Sequence, residues 1–148
     1  MTFIDTNYFL RFLLDDIPAQ HDEARITLKE AASGKLQLFT SAVVIFETHW
    51  VLLSAYSKNK EQVATALESI LRMSFINFEH GSLLRQAVSV YKESSLGFVD
   101  AFNLLYAKSQ GAKDFKTFDI KLSKKFISPT AKIIPCDSSY ILPPGVTT

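Results

Sequence analysis

Short runs rich in phenylalanine, isoleucine and valine recur along this chain, separated by longer stretches of helical period. That alternation constrains the fold more than any other feature. The runs are Thr2 to Asp5, Leu36 to Thr40, Phe75 to Phe78, Phe115 to Phe118 and Lys132 to Cys136. Strands separated by helices pair in parallel, because each connection must carry the chain back along the whole sheet. The expected class is therefore α/β with a parallel sheet.

The helical stretches have recognisable ends. Helix is expected over Tyr8 to Leu14 and stops at Asp15-Asp16-Ile17-Pro18, where proline disfavours helix in the residue before it. A second helix runs Pro18 to Ala32 and is closed by Gly34. Ser41 is the expected N-cap of an apolar helix, Ala42 to Tyr56. The polar break Ser57 to Asn59 turns the chain into Glu61 to Arg72, completing a helical hairpin. Leu83 to Glu93 and Val99 to Ser109, closed by Gly111, are two further helices. The segment after Cys136, with Pro143-Pro144-Gly145, reads as an irregular tail over 137–148 of a single domain, 1–148.

Composition bounds the class of protein. With 148 residues, 47% hydrophobic and 21% charged, the chain can bury one core, and its longest apolar runs are too short to span a membrane. Asp5 interrupts the first apolar run and no basic leader precedes it, so no signal peptide is expected. The single cysteine, Cys136, suits a reducing, cytoplasmic setting and reads as a buried residue of the last apolar run. Charge is distributed unevenly: seven lysines and two acids between Lys108 and Lys132 give that segment +5, against +1 for the whole chain. Such a segment can attract a polyanion or simply be a solvated face.

Four acids interrupt apolar surroundings instead of joining a charged face. Asp5 ends the first run; Glu47 lies in "SAVVIFETHW"; Asp100 lies in "GFVDAFNLLYA"; Asp119 lies in "FKTFDIKL". Taken singly, Asp100 and Asp119 could be helix caps and Glu47 an exposed residue. Taken together, they fall where an open parallel sheet builds its sites, outside the carboxyl ends of the strands. Carboxylates gathered there repel one another unless a cation neutralises them. Oxygen-only ligands suit Mg²⁺ or Mn²⁺, which can orient water and stabilise charge developing on a phosphodiester.

The stretches "FIDTNYFL", "SAVVIFE", "FVDAFNLLYAKSQGA" and "KTFDIKLSKK" resemble, in that order, the acidic motifs of PIN-domain ribonucleases, and most of all the VapC-type toxins of toxin–antitoxin pairs. The likeness covers Thr2 to about Cys136 and implies a doubly wound, mostly parallel sheet with helices on both faces. It implies that Asp5, Glu47, Asp100 and Asp119 are the metal-site acids of an Mg²⁺- or Mn²⁺-dependent endoribonuclease. Thr6, Asn7 and Thr117 would orient ligands or water around them. Lys113, Lys116, Lys121, Lys124 and Lys125 would contact RNA phosphates without reading sequence. The likeness also implies a homodimer silenced by a small antitoxin protein. The hairpin Ala42 to Arg72, which carries Trp50 and Tyr56, is apolar enough for part of it to be a contact surface or else core.

Other readings are open at this level. Haloacid-dehalogenase-like phosphohydrolases also place a nucleophilic aspartate after their first strand, but put a second acid two residues later, where this chain has Asn7. A third reading is an inactive RNA-binding PIN module with a degenerate metal site, which the intact acids in all four motifs weigh against. His21, His49 and His80 are scattered, and His49 falls on a different helix face from Glu47. Arg11 could reach a phosphate or form a surface ion pair. No glycine-rich phosphate loop is present.

Overall fold

Strands β1 (Thr2–Phe3), β2 (Leu38–Thr40) and β3 (Ile76–Phe78) lie side by side in that order, all parallel, in a computed structural model that describes residues 1–127. Helices α1 (Thr6–Leu14) and α2 (Pro18–Ala32) join β1 to β2, and α3 (Ala42–Ser54) and α4 (Lys60–Leu71) join β2 to β3. Then follow α5 (Gly81–Glu93), α6 (Phe98–Ser109) and α7 (Ile120–Ile127). This is the α/β parallel class that the alternating runs require.

Register decides which residues enter the core. Leu38 pairs with Ile76 and Thr40 with Phe78, and all four side chains are buried. The intervening pair, Phe39 and Asn77, points to the opposite face, where Phe3 meets Phe39 edge to face at 5.3 Å. On the buried side the helices supply Phe9, Ile45, Leu52, Leu67, Ile70, Leu84 and Phe98, all with essentially no solvent contact. Truncating a phenylalanine such as Phe9 or Phe98 to alanine in such packing costs about 3–5 kcal/mol. A smaller cluster of Leu96, Leu104 and Leu122, with Phe115 and Phe126 against it, docks α7 on α6.

Two expectations are corrected here. Phe115 to Phe118 is not a strand. Its first backbone donor goes to a nearby side chain instead, Phe115 N–H to Asp114 Oδ1 at 2.8 Å, and just past its end Asp119 N–H goes to Thr117 Oγ1 at 3.0 Å. Local bonds of this kind compete directly with a sheet ladder. The second correction concerns Ser41, which occupies the N-cap position of α3 but whose hydroxyl caps nothing. Glu79, just beyond β3, accepts the Ala42 N–H through Oε2 at 3.0 Å and does that work from across the sheet. A carboxylate satisfies an orphan donor there and complements the helix dipole. The remaining expected strand, Lys132 to Cys136, the tail and Cys136 itself lie outside the described residues.

The helical hairpin holds as expected, with a capping box at Asn59 and Gln62 opening α4. Ser57 turns the chain between the two helices at φ 49°. Glu79→Ala is expected to destabilise the fold by about 1 kcal/mol, and Ser41→Ala by less than about 0.5 kcal/mol. Urea unfolding of the two variants checks the reversal of roles.

Candidate active site

A single threonine ties the carboxyl ends of all three strands together. Thr40, at the end of β2 and 2% exposed, donates its hydroxyl to the Ile4 carbonyl at 2.8 Å. Its own carbonyl accepts the Glu79 N–H at 3.1 Å, and Ile4 N–H reaches the Phe39 carbonyl at 3.1 Å. The backbone must therefore leave β1 at Asp5. Asp5 takes extended φ/ψ and caps α1, accepting the Tyr8 N–H through Oδ1 at 3.2 Å. Its other oxygen, Oδ2, has no hydrogen-bond donor among the described residues.

Thr6 follows in the first turn of α1 and is buried. Its hydroxyl donates a short hydrogen bond to Glu47 Oε2, reaching from α1 to α3 across 41 positions of sequence. Asp5, Thr6, Asn7 and Glu47 thus line one cavity of about 550 Å³, together with Arg11 and Tyr56. A second cavity, of about 400 Å³, lies on the other side of the same turn and shares Asp5, Asn7 and Arg11, adding Tyr8, Gln20 and Glu23. The Tyr8 hydroxyl donates to Glu23 Oε1 at 2.9 Å. That bond, with burial and the charge of Glu23, holds the phenol above its ordinary pKa.

The other two acids sit apart from this pair. Asp100 lies in the first turn of α6, half-buried, with Oδ2 folded back to 3.4 Å from where a Cβ on Gly97 would stand. Gly97 is the N-cap of that helix and contributes no side-chain cap. The ring of Phe46, beside Glu47, packs on Phe98 at 5.4 Å and on Phe102 at 5.0 Å, which holds α3 against α6. Asp119 is exposed and caps α7, its Oδ1 accepting from Lys121 N–H at 2.8 Å and Leu122 N–H at 3.1 Å. Thr117 Oγ1 in turn accepts the Asp119 N–H. Among the described residues no three of histidine, cysteine, aspartate and glutamate stand close enough together to hold one ion. The structure therefore joins Asp5 and Glu47 and leaves Asp100 and Asp119 as separate, helix-starting carboxylates.

Residues 2–125 match the PIN domain family. The chain belongs to it. A curated relative, the VapC ribonuclease of Aquifex aeolicus (strain VF5), is 25% identical over 124 residues, covering 84% of this chain and 91% of the relative. No solved structure matches the chain at a significant level. The resemblance carried by the four acidic motifs is thus to the right family, and the match spans all four.

Lys113, Lys116, Lys121, Lys124 and Lys125 are all exposed, and Lys116 pairs with Asp114 at 2.5 Å. No histidine joins the acids. His49 turns from Glu47 into a pocket of rings, 5.2 Å from both Tyr91 and Phe98, and its Nε2 is buried without a partner. No helix of the described residues is long and apolar enough to cross a membrane. Sequence reasoning missed Glu79, the cap of the helix that carries Glu47. It follows an ordinary strand, and nothing local marks it.

Burial pushes the His49 imidazole below its ordinary pKa of 6.5. The unfolded chain then binds the His49 proton more readily than the folded one. That contribution to stability is present above about pH 6.5 and is lost as pH falls toward the folded pKa. His49→Phe is expected to flatten the loss of stability between about pH 7 and 5, measured by urea unfolding at each pH.

Proposed function

We propose that this PIN domain is an endoribonuclease that cleaves RNA phosphodiesters with water activated by Mg²⁺ or Mn²⁺, and that it is the cytoplasmic toxin of a pair whose partner is a small antitoxin protein. One observation carries the reading: the Thr6 hydroxyl holds Glu47 over the same cavity that Asp5 lines at the carboxyl end of the sheet. The VapC relative supports it.

The donors suit such an ion. Asp5 and Asp119 each spend one carboxylate oxygen on a helix N-terminus, and Glu47 spends one on Thr6. Each keeps a second oxygen without a donor among the described residues, and all are hard ligands of the kind Mg²⁺ and Mn²⁺ prefer. Asp5 and Glu47, which share one cavity, would hold the ion, which would supply a polarised water and positive charge against the charge developing on phosphorus; Asp100 and Asp119 stand apart from that pair and would complete its ligands only after moving toward it. Around them the chain's own groups fix orientation. Thr6 points the Glu47 carboxylate, Thr117 anchors the backbone of Asp119, and Asn7 lines both cavities beside Asp5. The exposed lysines would give phosphate affinity without sequence preference.

Asparagine caps a helix as well as aspartate, so Asp5→Asn keeps the start of α1 while removing a charge. The variant is expected to fold with wild-type stability and to lose RNA cleavage by about 100-fold or more, as chelation of the wild type should also do. Wild-type cleavage rates in the Asp5→Asn protein, measured on a gel with added Mg²⁺, overturn the assignment.

A homodimer belongs to the same reading. Val43, Trp50 and Leu53 of α3 are 68%, 65% and 37% exposed, a row of apolar side chains on the helix that carries Glu47. Light scattering of the isolated protein at micromolar concentration is expected to give twice the mass of one chain, and Trp50→Glu to give one. A wild-type monomer removes this part of the proposal.

A further inference from the structure

The two cavities that meet at Asp5 are lined by acids. Asp5 and Glu23 face one, and Asp5 and Glu47 the other. A polyanion entering either meets like charge. Among the described residues lining the two, Arg11 is the one cation, and it lines both.

Its guanidinium is held on two of its three nitrogens. Nε donates to Gln20 Oε1 at 2.8 Å, at the start of α2. Nη1 donates to Asp16 Oδ1 and Oδ2 at 2.8 and 2.7 Å and approaches the Tyr56 hydroxyl at 3.3 Å. Tyr56, just past the end of α3, donates its own hydroxyl to Asp16 Oδ2 at 2.8 Å. The triangle closes on itself. Hydrogen bonds from Tyr56 and from Arg11 both hold the Asp16 carboxyl below its usual range, so the clamp keeps its charge.

The third nitrogen, Nη2, has no partner among the described residues. A guanidinium carries five N–H donors, and the two on Nη2 remain able to donate to a phosphate oxygen. The side chain is 18% exposed and lines both cavities. A group already fixed by three neighbours loses little freedom on binding.

We infer that Arg11 is a substrate-binding residue whose free guanidinium edge grips an RNA phosphate beside Asp5, with Asp16, Gln20 and Tyr56 as its clamp. This rests on the ribonuclease reading above. It adds the group that lets a polyanion enter a cleft walled by carboxylates. A surface ion pair alone would leave the same bonds to Asp16 but would not involve RNA.

The test is binding of a fluorescently labelled single-stranded RNA oligonucleotide to the Asp5→Asn protein, followed by anisotropy over a range of salt concentrations. Adding Arg11→Gln is expected to weaken binding about tenfold and to make the salt slope shallower by about 0.7, the share of one phosphate contact. A folded Arg11→Gln protein with unchanged affinity and slope overturns the inference. So does an Asp5→Asn parent that binds no RNA at low salt. Should Arg11→Gln not fold, Arg11→Lys keeps the charge facing Asp16 and replaces it. The loss of the two-donor edge then predicts several-fold weaker binding with an unchanged slope, and unchanged affinity overturns the inference. The same samples run on a gel separate the two readings. RNA cut by Asp5→Asn as by wild type refutes the nuclease site, whereas intact RNA with Arg11-independent binding refutes only the role of Arg11.

Discussion

The buried hydrogen bond from Thr40 to the Ile4 carbonyl is the constraint on which the candidate site depends. It fixes the point at which β1 stops pairing, and so the residue that begins α1. From the same threonine the backbone bond to Glu79 fixes a carboxylate under the N-terminus of α3. α3 carries Glu47, which returns to α1 through Thr6. The loop of bonds is closed: strand end to strand end, strand end to helix start, helix to helix. A buried hydroxyl and carbonyl left unpaired would each cost about 1–3 kcal/mol, so the arrangement resists slipping by one residue.

Helix capping and metal binding make compatible demands on a carboxylate. A cap uses one oxygen and leaves the other without a helix donor. Asp5 on α1 and Asp119 on α7 both stand this way. Asp5 and Glu47 bring two carboxylates to one cavity. Arg11, clamped by Asp16, Gln20 and Tyr56, is the opposite charge within that region.

How much of this was legible in the residues varies by element. The three described strands and the first six helices follow from apolar runs, helical period, Pro18, Gly34 and the polar break at 57–59, because each of those signals is local. Phe115 to Phe118 reads as a strand by composition. It is not one: Asp114 takes the N–H of Phe115, and Thr117 takes that of Asp119 where the run ends. Ser41 reads as a cap by residue type, yet the cap comes from Glu79, 38 residues later in the chain and brought close only by the pairing of β2 with β3.

By itself the sequence determined that this is an α/β chain, and it marked Asp5, Glu47, Asp100 and Asp119 as acids out of place among apolar neighbours. An isolated carboxylate in an apolar run is conspicuous because burial without compensation is costly. Only the tertiary structure decided which of them meet. Glu47 joins Asp5 through Thr6, whereas Asp100 and Asp119 stay at their own helix starts. Only the tertiary structure showed that Arg11 is clamped with one edge free. Residue type and spacing carry local propensity. Contacts between residues 41 or 45 positions apart depend on how helices pack over a sheet, and no local signal encodes that.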